Sequence, residues 1–184
     1  ALPIFMGLDE RIGVKFLNPG PGIGGSCFPK DTRALQHTAN ELGVPFRILE
    51  STIEANDLRK HNMAKRILAA TPKQAVIGIL GITFKQNTDD IRESPALTIM
   101  QDLLDAGASL RVYDPKGMPA GKQHFKGENI EWCADSYEAA KDSDALAILT
   151  EWNSFRSLDL ARLKAAMKTP TILDLRNICD PQEM

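Results

Sequence analysis

The sequence has no apolar run approaching the ~20 residues that a membrane-crossing helix needs, so no membrane partner is expected. The opening Ala1-Leu2-Pro3-Ile4-Phe5-Met6 lacks the charged and apolar regions of a secretory leader. Cysteine is scarce: there are three in 184 residues, an odd number with no paired spacing. That argues against a disulfide framework and for a reducing, cytoplasmic setting, with Cys133 and Cys179 as buried or incidental thiols. Neither sign of charge dominates. The formal net charge is −2, which leaves no basic surface for nucleic acid. Internal repeats and low-complexity segments are missing, and no metal is expected. A GxGxxG fingerprint after a strand is missing too. Gly78-Ile79-Leu80-Gly81 has the wrong spacing, and Gly20 to Gly25 does not follow a strand pattern.

What is there is ordinary in amount, 43% hydrophobic and 25% charged, and its order is informative. Asp9 to Gly13 reads as a helix end running into a turn. A helical pattern from Asp31 to Leu42 stops at Gly43, and a long helix is expected over Phe46 to Ala70, ended by Thr71-Pro72. A helix of that length ties two lobes together or packs against its copy in a dimer. From residue 73 the pattern changes. Ala75 to Gly81 is a continuous apolar run of buried-strand length. Short strands are then expected at Leu110–Tyr113, Ile130–Trp132, Asp144–Leu149 and Thr171–Asp174. Between them come helices at Pro95–Ala106, Ser136–Lys141 (capped by Ser136) and Leu158–Met167. Lys116 to Glu128, with three glycines, is expected to be a flexible loop. This alternation predicts an α/β fold with an open, mostly parallel sheet.

The densest chemistry lies in Asn18-Pro19-Gly20-Pro21-Gly22-Ile23-Gly24-Gly25-Ser26-Cys27-Phe28-Pro29-Lys30-Asp31. Four glycines and two prolines within residues 19–25 make a tight loop that lets backbone approach a ligand closely. Pro29 suits the first turn of a helix, which puts Cys27 at or just before a helix N-terminus. There the helix dipole and Lys30 favour the nucleophilic thiolate. Asp31, one turn on, is placed to orient a water or take its proton. The bland alternative is a small buried cysteine beside a turn.

Ligands of an open parallel sheet bind beyond the carboxyl ends of its strands. Phe84, Lys85 and Arg92 follow the first expected strand, Tyr113-Asp114-Pro115 ends the second, and Arg176 follows the last. Lys85 and Arg176 suit phosphates and Phe84 suits a base or sugar. The competing reading is solvated cations paired with nearby acids. Trp152 reads as core packing.

The string Gly24 to Asp31 resembles, without a gap, the active-site signature of the UDP-glucose/GDP-mannose dehydrogenase family. The resemblance continues through Phe84 to Pro95, Tyr113-Asp114-Pro115, Thr150-Glu151-Trp152 and Arg176-Asn177-Ile178, and so covers essentially the whole chain. It implies a helical segment with a long connecting helix, then a Rossmann-like sheet. Residues 1–72 would be the end of a central dimerisation domain, and 73–184 a UDP-sugar-binding domain. It also implies two NAD-dependent oxidations of a sugar's primary alcohol, with Cys27 as covalent nucleophile and Asp31 activating the hydrolytic water. Phe16, Leu17, Asn18, Gly20, Gly22, Ile23 and Gly24 would wrap the UDP-sugar, together with Phe84, Lys85 and Arg176. Cys27, Lys30 and Arg92 would face the cofactor NAD. Arg11 would reach the substrate of a neighbouring subunit, which implies a homodimer.

With no GxGxxG unit, and without the Lys and Asn that the family places upstream of the cysteine, the chain is expected to be the C-terminal half of such an enzyme, inactive alone. Leu175 stands where the family commonly has Gly. The strings around Asp89-Asp90 and Glu151-Trp152 look most like the branch acting on UDP-glucose. GDP-mannose, a UDP-N-acetylhexosamine, or a non-catalytic nucleotide-sugar-binding module are the alternatives.

Overall fold

The structure, a computed structural model, describes residues 2–180, with the side chains of residues 2–4, 15 and 16 left out. Five strands form one all-parallel sheet in the order β3-β2-β1-β4-β5. They are β1 (Val76–Leu80), β2 (Ser109–Tyr113), β3 (Ile130–Trp132), β4 (Ala145–Ile148) and β5 (Ile172–Asp174). The order reverses between β1 and β4, which makes the carboxyl ends of these two strands the switch point. Ahead of the sheet come α1 (Leu2–Gly7), a single 3-10 turn (Val14–Leu17), α2 (Phe28–Glu41) and the 23-residue α3 (Arg47–Ala69). The remaining helices are α4 (Pro95–Asp105), α5 (Met118–His124), α6 (Ser136–Ala140), α7 (Asn153–Arg156) and α8 (Leu160–Ala166). Among the described residues, no helix is long and apolar enough to cross a membrane.

The period of two in β1 divides the core. Ile77 and Ile79 face a cluster built with Met63 and Ile67 of α3 and with Ile99 and Leu103 of α4. On the opposite face, Leu80 with Leu146 and Ile148 of β4 packs on Ala139, Phe155 and Leu163. The last turns of α3 thus dock on the sheet, while its first half and α2 stand outside: α2 buries no residue, and Phe28, Leu42, Val44, Ile48 and Leu58 are exposed.

Two expectations are corrected. Residues 116–128 are not a loop but carry α5, because Pro119 is pre-set for a first turn and the segment packs through Phe125, which is only 4% exposed. The cap of α6 is Asp135, not Ser136, since its carboxylate accepts from the N–H groups of Tyr137 and Glu138, both at 2.8 Å. Helix α7 was not anticipated, a single turn being too short to show a period. Leu175 raises no conflict with its backbone: it has no positive φ, its N–H donates to Ile148 O at 3.1 Å, and its side chain is buried in the α3/α4 cluster.

Gly81 closes β1 at φ +89°, and a Cβ there would lie 2.5 Å from Thr150 Cβ. Gly81→Ala combines left-handed strain with a clash in the sheet, so it should cost about 2–4 kcal/mol, read as a lower denaturation midpoint at unchanged slope.

Candidate functional site

The glycine-proline loop is a strap across the carboxyl edge of the sheet. At one end Asn177, just past β5, donates to Pro19 O at 3.2 Å. From α3, Arg59 Nε donates to Gly20 O at 2.6 Å and Asn56 Oδ1 accepts from Ile23 N at 2.7 Å. The far end reaches the switch point, where Gly25 N donates to Arg92 O at 3.0 Å. Gly25 has φ +94°, and a Cβ there would come within 2.9 Å of the Phe84 ring. Only glycine lets the strap lie flat on that ring. A string of small residues therefore fixes the thiol that follows it against the loop after β1.

Cys27 is the N-cap residue of α2, with no side-chain cap bond, and it is exposed. Ser26 Oγ lies 3.7 Å from its Sγ. The Asp31 N–H donates to Cys27 O at 2.9 Å, which confirms the one-turn spacing. Lys30, expected to favour the thiolate, pairs with Asp31 at 3.2 Å. Arg92 is the cation near the sulfur. Its hydrogen bonds to Asp90 hold its pKa above the usual arginine value, and the Cys27 charge adds a smaller push the same way. Asp90 is correspondingly held below the carboxylate range, first by its side-chain bond to Arg92.

On one side of the strap is a cleft of about 860 Å³, bounded by Asn18, Gly20, Gly22 and Ile23 of the strap, Arg59 of α3 and Arg176 past β5. Asn56, Gln86, Glu151, Arg156 and Asn177 are also on its wall. Arg176 pairs with Glu151 at 2.6 Å, both side chains about one-fifth exposed. Among the described residues Arg59 and Arg156 form no ion pair: Arg59 donates to Gly20 O, and Arg156 donates to Ile178 O at 2.9 Å. Three guanidinium groups thus meet one carboxylate, a balance suited to an anion.

A second recess of about 760 Å³ lies between α3 and α4, with Ser26, His61, Arg92 and Asp102 on its wall. Here His61 Nδ1 sits 2.6 Å from Asp102 Oδ2.

The sequence-derived residues divide accordingly. Asn18, Gly20, Gly22, Ile23 and Arg176 come together on the large cleft. Gly24 packs at the start of α4, within reach of Glu93 O and Pro95. Phe84 backs the strap, and Lys85 lies over its ring at 5.2 Å, on neither recess. Leu17 is half-buried in the 3-10 turn, outside the cleft wall. The side chain of Phe16 lies outside those described. Arg11 stays within its own turn, paired with Asp9 at 2.7 Å. Trp152 is core, donating its indole N–H to Asp114 at 3.2 Å. Sequence reasoning missed Asn56, Arg59, Gln86, Glu151 and Arg156 as cleft residues. Asn56 and Arg59 did carry a signal, since three residues apart on a helix is one face.

The three thiols are free, and they differ. Burial pushes the Cys133 thiol up to about 11, and burial likewise raises Cys179. Brief iodoacetamide treatment at pH 7.5 should therefore label Cys27 first, with Cys133 unmodified in the peptide masses.

A pattern for the UDP-binding domain of the UDP-glucose/GDP-mannose dehydrogenase family matches residues 78–181, and one for that family's central domain matches residues 4–58. The chain belongs to the UDP-glucose/GDP-mannose dehydrogenase family. It is 50% identical over 182 residues to UDP-glucose 6-dehydrogenase of Rhizobium meliloti, covering 97% of this chain and 41% of that protein. To UDP-glucose 6-dehydrogenase TuaD of Bacillus subtilis it is 41% identical over 181 residues, or 97% of this chain and 39% of that one. Among solved structures, a UDP-glucose dehydrogenase from Pyrobaculum islandicum superimposes with a TM-score of 0.82 at 29% identity, over 96% of this chain and 40% of that one. The chain thus spans about two-fifths of the length of these relatives.

The described residues offer a dinucleotide only an edge of a site. The uncapped start of α2 and the exposed Arg92 could meet its polar groups. Among the described residues no strand-turn-helix carries the phosphate-binding glycines: Gly78 is packed against Leu146 and Ala139, and Gly81 against Thr150.

Proposed function

We propose that this chain supplies the covalent nucleophile and the nucleotide-sugar cleft of an NAD-dependent UDP-glucose 6-dehydrogenase. The observation that carries the reading is the strap itself. One continuous loop walls an arginine-lined cleft and ends in an exposed thiol at the start of a helix. Identity to UDP-glucose 6-dehydrogenases supports the choice of sugar nucleotide. Residues 1–72 act as the end of a central dimerisation domain and 73–184 as the UDP-sugar domain. The exposed apolar residues of α2 and α3 support a homodimer, in which Arg11 reaches the neighbouring subunit's substrate.

In this reading the cleft guanidiniums and the strap backbone hold the UDP-sugar, with Phe84 and Lys85 at its border. Arg92 and the Cys27–Lys30 turn would hold NAD, which would supply the hydride acceptor when the sugar's primary alcohol loses a hydride from carbon and a proton from oxygen to become an aldehyde. The Cys27 thiolate adds to the resulting aldehyde carbon, which forms a C–S bond and leaves a thiohemiacetal. With a second NAD as hydride acceptor, loss of hydride from carbon and of the hydroxyl proton would convert that adduct into a thioester. Water oriented by Asp31 attacks the thioester carbonyl, the C–S bond breaks, thiolate leaves and the carboxylic acid is released. Covalent capture keeps the aldehyde from escaping between the two oxidations. Because the described residues carry no dinucleotide-binding strand-turn-helix, these 184 residues by themselves should not turn over substrate.

Calorimetric titration with UDP-glucose, UDP and GDP-mannose tests the cleft. The uridine ligands should bind, GDP-mannose should not, and a Lys85→Ala, Arg176→Ala double variant should lose about tenfold or more in affinity. Equal binding of GDP-mannose would move the chain to another branch of the family. Cooperative unfolding of the chain without binding of any of the three ligands would refute the cleft assignment.

A further inference from the structure

Three buried polar side-chain atoms lack a hydrogen-bond partner among the described residues: Gln86 Oε1, Glu151 Oε2 and Arg176 Nε. All three residues are on the wall of the 860 Å³ cleft. Glu151 Oε2 is 2.6 Å from Arg176 Nη2, yet the pair is not aligned as a hydrogen bond, so the oxygen keeps its accepting capacity. The surrounding structure restricts the guanidinium. A Cβ on Gly20 would fall 2.0 Å from Arg176 Nη1, so the strap lies directly against that edge. The backbone beneath is held as well, Arg176 N donating to Asp174 Oδ1 at 2.9 Å. Buried polar groups left open in this way cost free energy unless something else meets them.

The open set is two acceptors and one donor. A phosphate, which only accepts, could satisfy Arg176 Nε but not the two oxygens, and it would be repelled by Glu151. A pair of neighbouring hydroxyls matches all three, donating to Gln86 and Glu151 and accepting from Arg176. A carboxylate is a known kind of reader for ribose hydroxyls. We propose that Glu151 is a specificity-determining residue that reads the vicinal hydroxyls of the nucleotide's ribose. Gln86 supplies the second acceptor, and Arg59 and Arg156, which form no ion pair among the described residues, are left for the diphosphate. This assignment rests on the nucleotide-sugar reading of the cleft.

The test is calorimetric titration of the whole chain, wild type and Glu151→Gln, with UDP, 2′-deoxy-UDP, 3′-deoxy-UDP and inorganic pyrophosphate. Thermal melting checks that the variant folds. Wild type should favour UDP over each deoxy analogue by about tenfold or more. In Glu151→Gln that preference should fall to about twofold or less, with pyrophosphate binding not weakened. If pyrophosphate affinity falls in parallel with UDP, Glu151 merely steadies Arg176 and the assignment is overturned. Deoxy analogues that bind wild type as tightly as UDP overturn it as well, and leave the cleft reading standing. No UDP binding by a folded chain removes the cleft reading and this assignment together. Should Glu151→Gln fail to fold, the wild-type comparison of UDP with its deoxy analogues still decides.

Discussion

Cys27→Ser should abolish acid formation and leave the fold untouched. The assay is NAD-coupled turnover of UDP-glucose by this chain together with a dinucleotide-binding domain. Among the described residues the exposed side chain makes one hydrogen-bonding contact, with Ser26 at 3.7 Å, and fills no core. Serine is also a good residue at a helix start, so stability should change by no more than about 0.5 kcal/mol. The chemistry is another matter. A serine hydroxyl is neither ionised near neutral pH nor a comparable leaving group, and Asp31, already paired with Lys30, is not placed as its base. Overall turnover should fall by at least about a thousandfold. The first oxidation should survive as a single stoichiometric hydride transfer, seen as NADH absorbance in a rapid-mixing experiment. A variant that keeps more than a few per cent of wild-type turnover would show that Cys27 is not the covalent anchor.

The fold was legible because its signals are local and redundant. The run from Ala75 to Gly81 is apolar at every position except its glycines, and a strand buried on both faces must read that way. The long α3 carried both a period and a stop at Thr71-Pro72. What was misread depended on contacts that sequence does not display. Residues 116–128 looked like a loop because their glycines were counted as breakers. In the fold, Gly121 is a point of close approach: a Cβ there would lie 2.5 Å from Ile82 Cδ1 and 2.7 Å from Trp132. A small residue needed for helix–sheet packing and a small residue that marks a turn are identical on paper.

The candidate site was legible where a contiguous string carried it and obscure where the sheet assembled it. Cys27, its N-cap position and its one-turn relation to Asp31 follow from neighbours in the chain. The cleft does not. Arg59, Gln86, Glu151 and Arg176 span more than a hundred positions and meet only because α3 docks beside the edge where β1, β4 and β5 end. Lys85 shows the converse. Charge and position after β1 pointed it at phosphate, yet the described structure sets its ammonium over Phe84, outside the cleft wall.

Asp114→Ala should be the most destabilising single substitution considered for this chain. The residue is 1% exposed, at the carboxyl end of β2, beside the edge that forms the site. One carboxylate oxygen accepts from Ile82 N at 2.7 Å, Thr83 N at 3.2 Å, Thr83 Oγ1 at 3.2 Å and Trp152 Nε1 at 3.2 Å. The other accepts from Lys116 N at 2.9 Å and Gly117 N at 2.7 Å. The carboxylate therefore joins the exit of β1, the turn after β2 and the segment after β4. Alanine would leave buried donors from three segments unmatched, a loss of about 3–5 kcal/mol. Asparagine keeps the size but offers two N–H donors where donors already converge, so Asp114→Asn should recover less than half of that loss. Denaturant melts of the two variants decide the matter. Because Thr83 O also accepts from the Thr150 hydroxyl at 2.6 Å, the disturbance should pass to Glu151, one residue on. UDP binding should then weaken in Asp114→Asn even at temperatures where that variant is fully folded. Unchanged affinity in the folded variant would mean that the cleft is held by the strap rather than by the edge of the sheet.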